Sequence, residues 1–281
     1  MEAIKSVLRG TGLYRLLRRV YRAVHKVPRH PLQKTPTKAG IPFKRLGSGA
    51  CGWVFMDDPA LYNSTIISAG LGEDASFDLE FAKRYNAKII IVDPTPRATV
   101  HFGAIINHLG QKKTAEYSST GTQPIAAYDL EGVRSDQLVL VEKALWNEPT
   151  TLKFFAPQNP DHVSHSAVNF QNNYSDDTPY LEVDAIPFGQ LMADQGIVEV
   201  PLIKLDIEGA EVEVLIQCLD EGIKPNQILV EFDELNMPSD VAFERVDRVH
   251  ARLVAEGYDI VRTDGQADFL YVHSTNHPGT P

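Results

Sequence analysis

The chain has 281 residues, 43% of them hydrophobic, a formal net charge of -10 and two cysteines. That supplies the core of one large domain or two small ones, while the longest apolar runs fall far short of the roughly 20 residues that cross a bilayer. Cys51 and Cys218 give neither a disulfide framework nor a zinc spacing, so the expectation is a globular chain in a reducing cytoplasm.

Charge divides the chain. Residues 1–56 hold 12 of its 27 Lys and Arg but one of its 37 Asp and Glu, which leaves 15 bases against 36 acids, a net of -21, for the rest. Leu13, Leu16, Leu17, Val20, Tyr21 and Val24 recur at helical spacing, with Arg15, Arg18, Arg19, Arg22 and Lys26 on the other face. The stretch lacks the apolar block and small-residue cleavage site of a secretory signal. Residues 1–26 are therefore expected to form a basic amphipathic helix. It would pack on the acidic domain or on a second subunit of a homo-oligomer, or lie on an anionic membrane at its inner face; nucleic acid is not an expected partner. The proline-bearing "KVPRHPLQKTPTKAGIP" reads as a linker. Residues 1–40 are thus arm and linker, and 41–281 the domain.

Next comes "RLGSGACGWVF", 45–55, whose Gly47, Gly49, Gly52 and Val54 fit the spacing of a kinase phosphate loop. The following strand carries no lysine, and neither H-R-D nor D-F-G occurs anywhere in the chain. No helix follows the loop either, as a dinucleotide fingerprint requires. These glycines are expected to serve a bulged hairpin or a segment over a ligand cleft, with Cys51 a small filler.

Beyond residue 60, strand-like runs alternate with helical ones. The strands are "TIISAG", "KIIIVD", "QLVLVEKA", "VPLIKLD", "QILVEFD", "DIVRTD" and "DFLYVH"; the clearest helices are "SFDLEFAKRY", "GAEVEVLIQCLDEG" and a segment capped by Ser239. Buried apolar strands joined by helices imply an open, mostly parallel α/β sheet covered on both faces. The last two strands, separated by "GQA", should form an antiparallel edge hairpin.

In such a sheet the ligand sits outside the carboxyl ends of the strands, where glycines admit it. "TIISAGLGEDASFD" ends a strand in Gly70 and Gly72, and Asp93 closes the next strand, placed to bind ribose hydroxyls. The pair fits S-adenosylmethionine as well as a nicotinamide cofactor. Glu73 and Asp74 would repel a diphosphate but suit a sulfonium; an acidic capping turn without ligand is the plain alternative. In "LIKLDIEGAEVEVL", 202–215, Lys204 and Asp206 alternate with apolar residues, and Glu208 and Glu211 stand three apart, on one side of a first helical turn. Lys204 could equally pair with Asp206 or Glu208. The polar run after "FFAP" holds His162 and His165 and reads as a long lid loop.

The 202–215 stretch closely resembles the signature of the FkbM family of S-adenosylmethionine-dependent methyltransferases, I-K-x-D-x-E-G-x-E. "GLGEDASFD", "IIIVDPTP", "VEKALWN", "ILVEFDE" and "DFLYV" follow in the family's order over roughly residues 60–273. The resemblance implies a class I, Rossmann-like methyltransferase sheet of seven strands and O-methylation of a hydroxyl on a sugar, glycan or secondary metabolite. The rivals are a non-catalytic cofactor-binding module and an NAD-dependent sugar enzyme. Cofactor residues would be Ser68, Gly70, Gly72, Glu73, Asp74, Asp93, Ala144 and Asp206; catalytic ones Lys204, Asp206, Glu208 and His165. The family's first loop carries an aspartate where this chain has Ser68, which shifts a cofactor contact toward Glu73 or Asp74. Asp206, Glu231 and Asp233, at the ends of neighbouring strands, are candidate ligands for Mg²⁺.

Overall fold

The computed structural model describes residues 28–155 and 178–276. The arm over 1–26 and His165 lie outside them.

Seven strands form the central sheet: β3 (Thr65–Ala69), β4 (Lys88–Val92), β5 (Leu138–Val141), β9 (Leu202–Leu205), β10 (Gln227–Glu231), β11 (Tyr258–Thr263) and β12 (Asp268–His273). Their order is β11-β12-β10-β9-β3-β4-β5. Neighbours from β10 to β5 run parallel. The expected hairpin is there, with β12 inserted antiparallel between β10 and β11. This is the class I methyltransferase architecture, and the parallel strands are nearly all apolar because both faces are covered.

On one face lie α1 (Ser76–Tyr85) and α2 (Pro96–Asn107), packing Phe77, Phe81, Ala98 and Ile105. On the other lie α3 (Phe188–Asp194), α4 (Glu211–Asp220) and α5 (Asp240–Ala255), with Leu191, Val212, Leu215, Val246 and Leu253 in the core. Two of these helices start at a local signal. Proline opens α2 at a position needing no N–H. Ser239 caps α5 by accepting from Ala242 N at 3.1 Å.

The glycine stretch is the turn of a hairpin, β1 (Phe43–Leu46) with β2 (Trp53–Met56). Gln227 docks that hairpin on the sheet, its amide exchanging two bonds with the Met56 backbone at 2.8 and 2.9 Å. A smaller sheet has the order β6-β8-β7, from β6 (Ala144–Leu145), β7 (Thr150–Phe155) and β8 (Tyr180–Ile186). The polar run read as a lid loop ends in a strand, β8, which occupies its last residues before Pro187.

The segment read as a linker is docked as well. His30 and Gln33 are buried, Gln33 Nε2 donates to Gln266 O at 2.5 Å, and Lys38 N donates to Val261 O at 2.9 Å. Residues 29–38 thereby run along the β11 edge of the sheet.

Candidate active site

The carboxyl ends of β3, β4 and β9 open into a cleft of about 1060 Å³, solvent at its mouth included. A cleft at this place is what an α/β sheet offers a ligand, because the strand order reverses there and the two connections part. Gly70, Gly72, Glu73, Asp74, Asp93, Ala144, Lys204, Asp206 and Glu208 all line it. Ser68 is buried and is not part of the lining, nor are Glu231 and Asp233.

The floor is built by a close crossing of two strands. Asp206 N donates to Ala69 O at 3.2 Å and Gly70 N to Val92 O at 3.0 Å. Gly70 has φ +87°, and a Cβ there would stand 1.8 Å from Asp206 O, so no side chain is tolerated. Lys204 Nζ donates to Gly70 O at 2.6 Å and to Ala69 O at 3.3 Å. It binds backbone carbonyls, rather than the Asp206 or Glu208 carboxylates, and lies 5.7 Å from the centre of the Trp53 ring.

Asp206 has no side-chain hydrogen-bond partner among the described residues and turns its carboxyl to the cleft. Burial raises its pKa; the Lys204 charge opposes that and Asp93 adds to it. Glu208 has a left-handed φ of 55°, a conformation that costs a non-glycine residue about 1 kcal/mol or more and is held by its surroundings. Glu211 supplies part of the hold. Its two oxygens accept from Ile207 N at 2.7 Å and Gly209 N at 2.9 Å, strapping the loop between β9 and α4. Helix α4 begins at Glu211, so Glu208 and Glu211 do not share a helical turn as expected.

Asp93 closes the other side. Oδ2 accepts from Leu71 N and Gly72 N, both at 2.9 Å, and Oδ1 from Thr95 N at 2.9 Å and Thr95 Oγ1 at 2.6 Å. A carboxylate has about four acceptor positions, so the loops after β3 and β4 already engage all of them. Asp93→Ala is therefore expected to lower unfolding free energy by about 3 kcal/mol, since several buried donors lose a charged acceptor. Urea denaturation measures this, and an unchanged midpoint would show that the strap is not formed in solution.

Glu73 and Asp74 are engaged too. Glu73 pairs with Arg97 and accepts from Thr122 Oγ1 at 3.0 Å. Asp74 accepts from Ser48 Oγ at 2.7 Å, Ser76 N at 2.9 Å and Gln123 Nε2 at 2.9 Å. Its bond to Ser48 anchors the β1–β2 turn over the cleft, helped by Gly47 N to Glu80 Oε2 at 2.8 Å. The turn brings Cys51 to the cleft wall, where burial pushes its thiol well up, with Asp74 adding to the effect; it is no thiolate nucleophile.

The expected Mg²⁺ site is not formed. Among the described residues no group of three or more His, Cys, Asp or Glu is placed to hold an ion. Asn236 Nδ2 donates instead to Glu231 Oε1 at 2.9 Å and Asp233 Oδ1 at 3.0 Å. Burial, then the nearby Asp206 and Asp268 charges, hold Glu231 well above the ordinary carboxylate range.

A family model described as "Methyltransferase FkbM domain" matches residues 41–260. The chain belongs to the FkbM methyltransferase family. No curated protein matches it. Among solved structures it is similar to an O-methyltransferase from Bacillus cereus in complex with SAH, at 9% identity over 75% of this chain and 73% of that one, TM-score 0.39. It is also similar to a fibrillarin pre-rRNA processing protein of Methanococcus jannaschii, at 11% identity over 76% and 68%, TM-score 0.38. Likenesses that remote carry no functional argument. The family's methyl donor fits the cleft on its own chemistry. Leu71, Val92, Leu145 and Phe154 offer apolar surface, and six carboxylates, Glu73, Asp74, Asp78, Asp93, Asp206 and Glu208, face two lysines, Lys143 and Lys204. Sequence reading missed Asp78, Lys143 and Phe154.

Proposed function

We propose that this FkbM methyltransferase moves the methyl group of S-adenosylmethionine to a hydroxyl oxygen of a sugar, glycan or similar secondary metabolite. The excess of six carboxylates over two lysines in the cleft lining supports this reading, because such a wall attracts a sulfonium cation and repels the diphosphate of a nicotinamide cofactor. The donor supplies an electrophilic methyl carbon. An alcohol acceptor must lose its proton as the carbon–oxygen bond forms and the sulfur–carbon bond breaks, and Asp206 is the open carboxylate able to take it. Lys204 holds the Gly70 carbonyl and so the loop after β3, while Leu145 and Phe154 add apolar surface to the cleft. Glu208 and, from outside the described residues, His165 are the other proton acceptors this reading admits.

A thermal-shift comparison of S-adenosylmethionine, S-adenosylhomocysteine and NAD tests the donor, and mass spectrometry of glycan acceptors incubated with donor tests the transfer. Stabilisation by NAD alone would favour a sugar dehydrogenase. Donor binding with no acceptor gaining one methyl group would favour a non-catalytic module.

The arm belongs to the same reading: residues 1–26 bind an anionic membrane surface at the cytoplasmic face. The five Arg or Lys that recur on one side of the expected helix would add about 1 kcal/mol each near such a surface. Deleting 1–26, which spares the docked His30 and Gln33, is expected to leave the melting temperature unchanged and to abolish sedimentation with phosphatidylserine vesicles. Equal sedimentation of both proteins would assign the arm to packing on the domain or on a second subunit.

A further inference from the structure

Two carboxyls stand side by side where β9 and β10 end. These strands run parallel, with Lys204 registered on Leu229 and Leu205 on Val230. The next residue on each is an acid, Asp206 on one and Glu231 on the other. Asp206 N still bonds Ala69 O at 3.2 Å, so the ladder runs on through this position. Both acids therefore share the face of Lys204 and Leu229, two positions earlier, on strands about 4.8 Å apart. Asp206 lines the cleft, and Glu231 stands beside it outside the lining.

Neighbouring carboxyls withdrawn from water do not both ionise readily, because the second charge must form against the first. The surroundings reinforce this from several elements. Lys204 on β9 and Asp93 after β4 act on Asp206, and Asp268 on β12 and Glu208 before α4 act on Glu231. Among these groups only Lys204 is a cation, and its ammonium also holds the Ala69 and Gly70 carbonyls. Asn236 makes the two acids unequal. Its Nδ2 donates to Glu231 Oε1 at 2.9 Å, which leaves Oε2 to carry a proton. Glu231 is also the acid that burial and the Asp206 charge hold well above the ordinary range.

We infer that Asp206 and Glu231 hold one proton between them in the free protein and give it up when a sulfonium cation enters the cleft. Glu231 acts through Asp206 and is a positioning residue: it sets how many protons the pair carries before transfer. A cation favours the ionised form of carboxyls near it, and a neutral thioether does not. With both groups ionised, the pair is ready for the acceptor's proton. Asp206 takes that proton as the acceptor oxygen bonds the methyl carbon and the sulfur keeps the electron pair of the broken bond. One positive and one negative charge vanish together, and the pair returns to a single proton with none left to expel. This rests on the methyl-donor reading, and the experiment separates the two.

Isothermal calorimetry is run in slightly acidic solution, where each ligand's own amino group stays protonated. Two buffers of different ionisation enthalpy are compared, so that the difference in heat counts the protons exchanged. With S-adenosylmethionine the wild-type chain is expected to release about one proton, and with S-adenosylhomocysteine none. By linkage, affinity for S-adenosylmethionine should then rise about tenfold per pH unit, with that for S-adenosylhomocysteine flat. Glu231→Gln keeps an oxygen for Asn236 and has no proton to give. It should lose both the release and the pH slope, with S-adenosylhomocysteine affinity unchanged. Circular dichroism checks that the variant is folded; the comparison of the two ligands on the wild-type chain decides the matter if it is not. Buffer-independent heat with S-adenosylmethionine, equal release with both ligands, or release that persists in Glu231→Gln would overturn the inference and leave Glu231 a structural partner of Asn236. Failure of the wild-type chain to bind either ligand would instead overturn the methyl-donor reading, and the role of the pair with it.

Discussion

Gly70→Ala is expected to cost the protein at least about 4 kcal/mol, enough to unfold many domains of this size. Two independent penalties meet at this residue. Its φ of +87° is unfavourable for alanine, and the added methyl would stand 1.8 Å from the Asp206 carbonyl oxygen, so β3 and β9 would have to part. Gly110 separates the two contributions: its φ is +88° with nothing within 4 Å of a built Cβ. Gly110→Ala should therefore lose only the backbone share, about 1 kcal/mol. Urea denaturation of both variants checks the difference. Equal losses would mean that the strands separate freely at the cleft floor.

Asp206→Asn is expected to reduce kcat roughly 10²–10⁴-fold, the range lost with a general base. Burial holds the wild-type carboxyl above its ordinary pKa, so the rate should fall as pH drops through that raised value. The asparagine variant should lack this acidic limb. The same shift has a stability sign. The folded chain binds this proton more tightly than the unfolded one, so the group withdraws stability as pH rises from the ordinary carboxylate range to the raised value. Steady-state kinetics across pH decide the matter, and full kcat in Asp206→Asn would move the base to Glu208 or His165.

Much of the fold was legible because its strands are buried on both faces. Runs such as "KIIIVD" cannot be solvated helices, and the spacing of "DIVRTD" and "DFLYVH" leaves room only for a hairpin. Strand β8 was hidden by its chemistry. Glu182 and Asp184 are exposed and made it read as loop, although Val183 and Ala185, alternating with them, are buried and carry the period of two.

The site was half legible. Glycines and acids at strand ends mark a cleft from sequence, but engagement does not show there. Asp93, Glu73 and Asp74 read as ligand groups and turn out to be tied to neighbouring loops. Asp78 reads as an ordinary acid at a helix start and is instead buried in the cleft wall. Glu211 was misplaced because pairing along a helix presupposes where the helix begins, and the left-handed Glu208 delays that start by three residues.

The docked segment before β1 bears on how an acceptor could be delivered. Arg29 and Gln33 hold the carbonyls of Gly265 and Gln266, in the turn between β11 and β12. Glu231 pairs with Asp268 at the start of β12, so this turn lies at the carboxyl end of β10, the same end of the sheet as the cleft. Three strand spacings, about 15 Å, separate β11 from β9. The described chain therefore enters at this end of the sheet, by Arg29, and a surface bound by the preceding basic residues, as proposed above, would be tethered there. An acceptor fixed to that same surface would meet the cleft at a high effective concentration, and a freely diffusing one would gain nothing from the mooring.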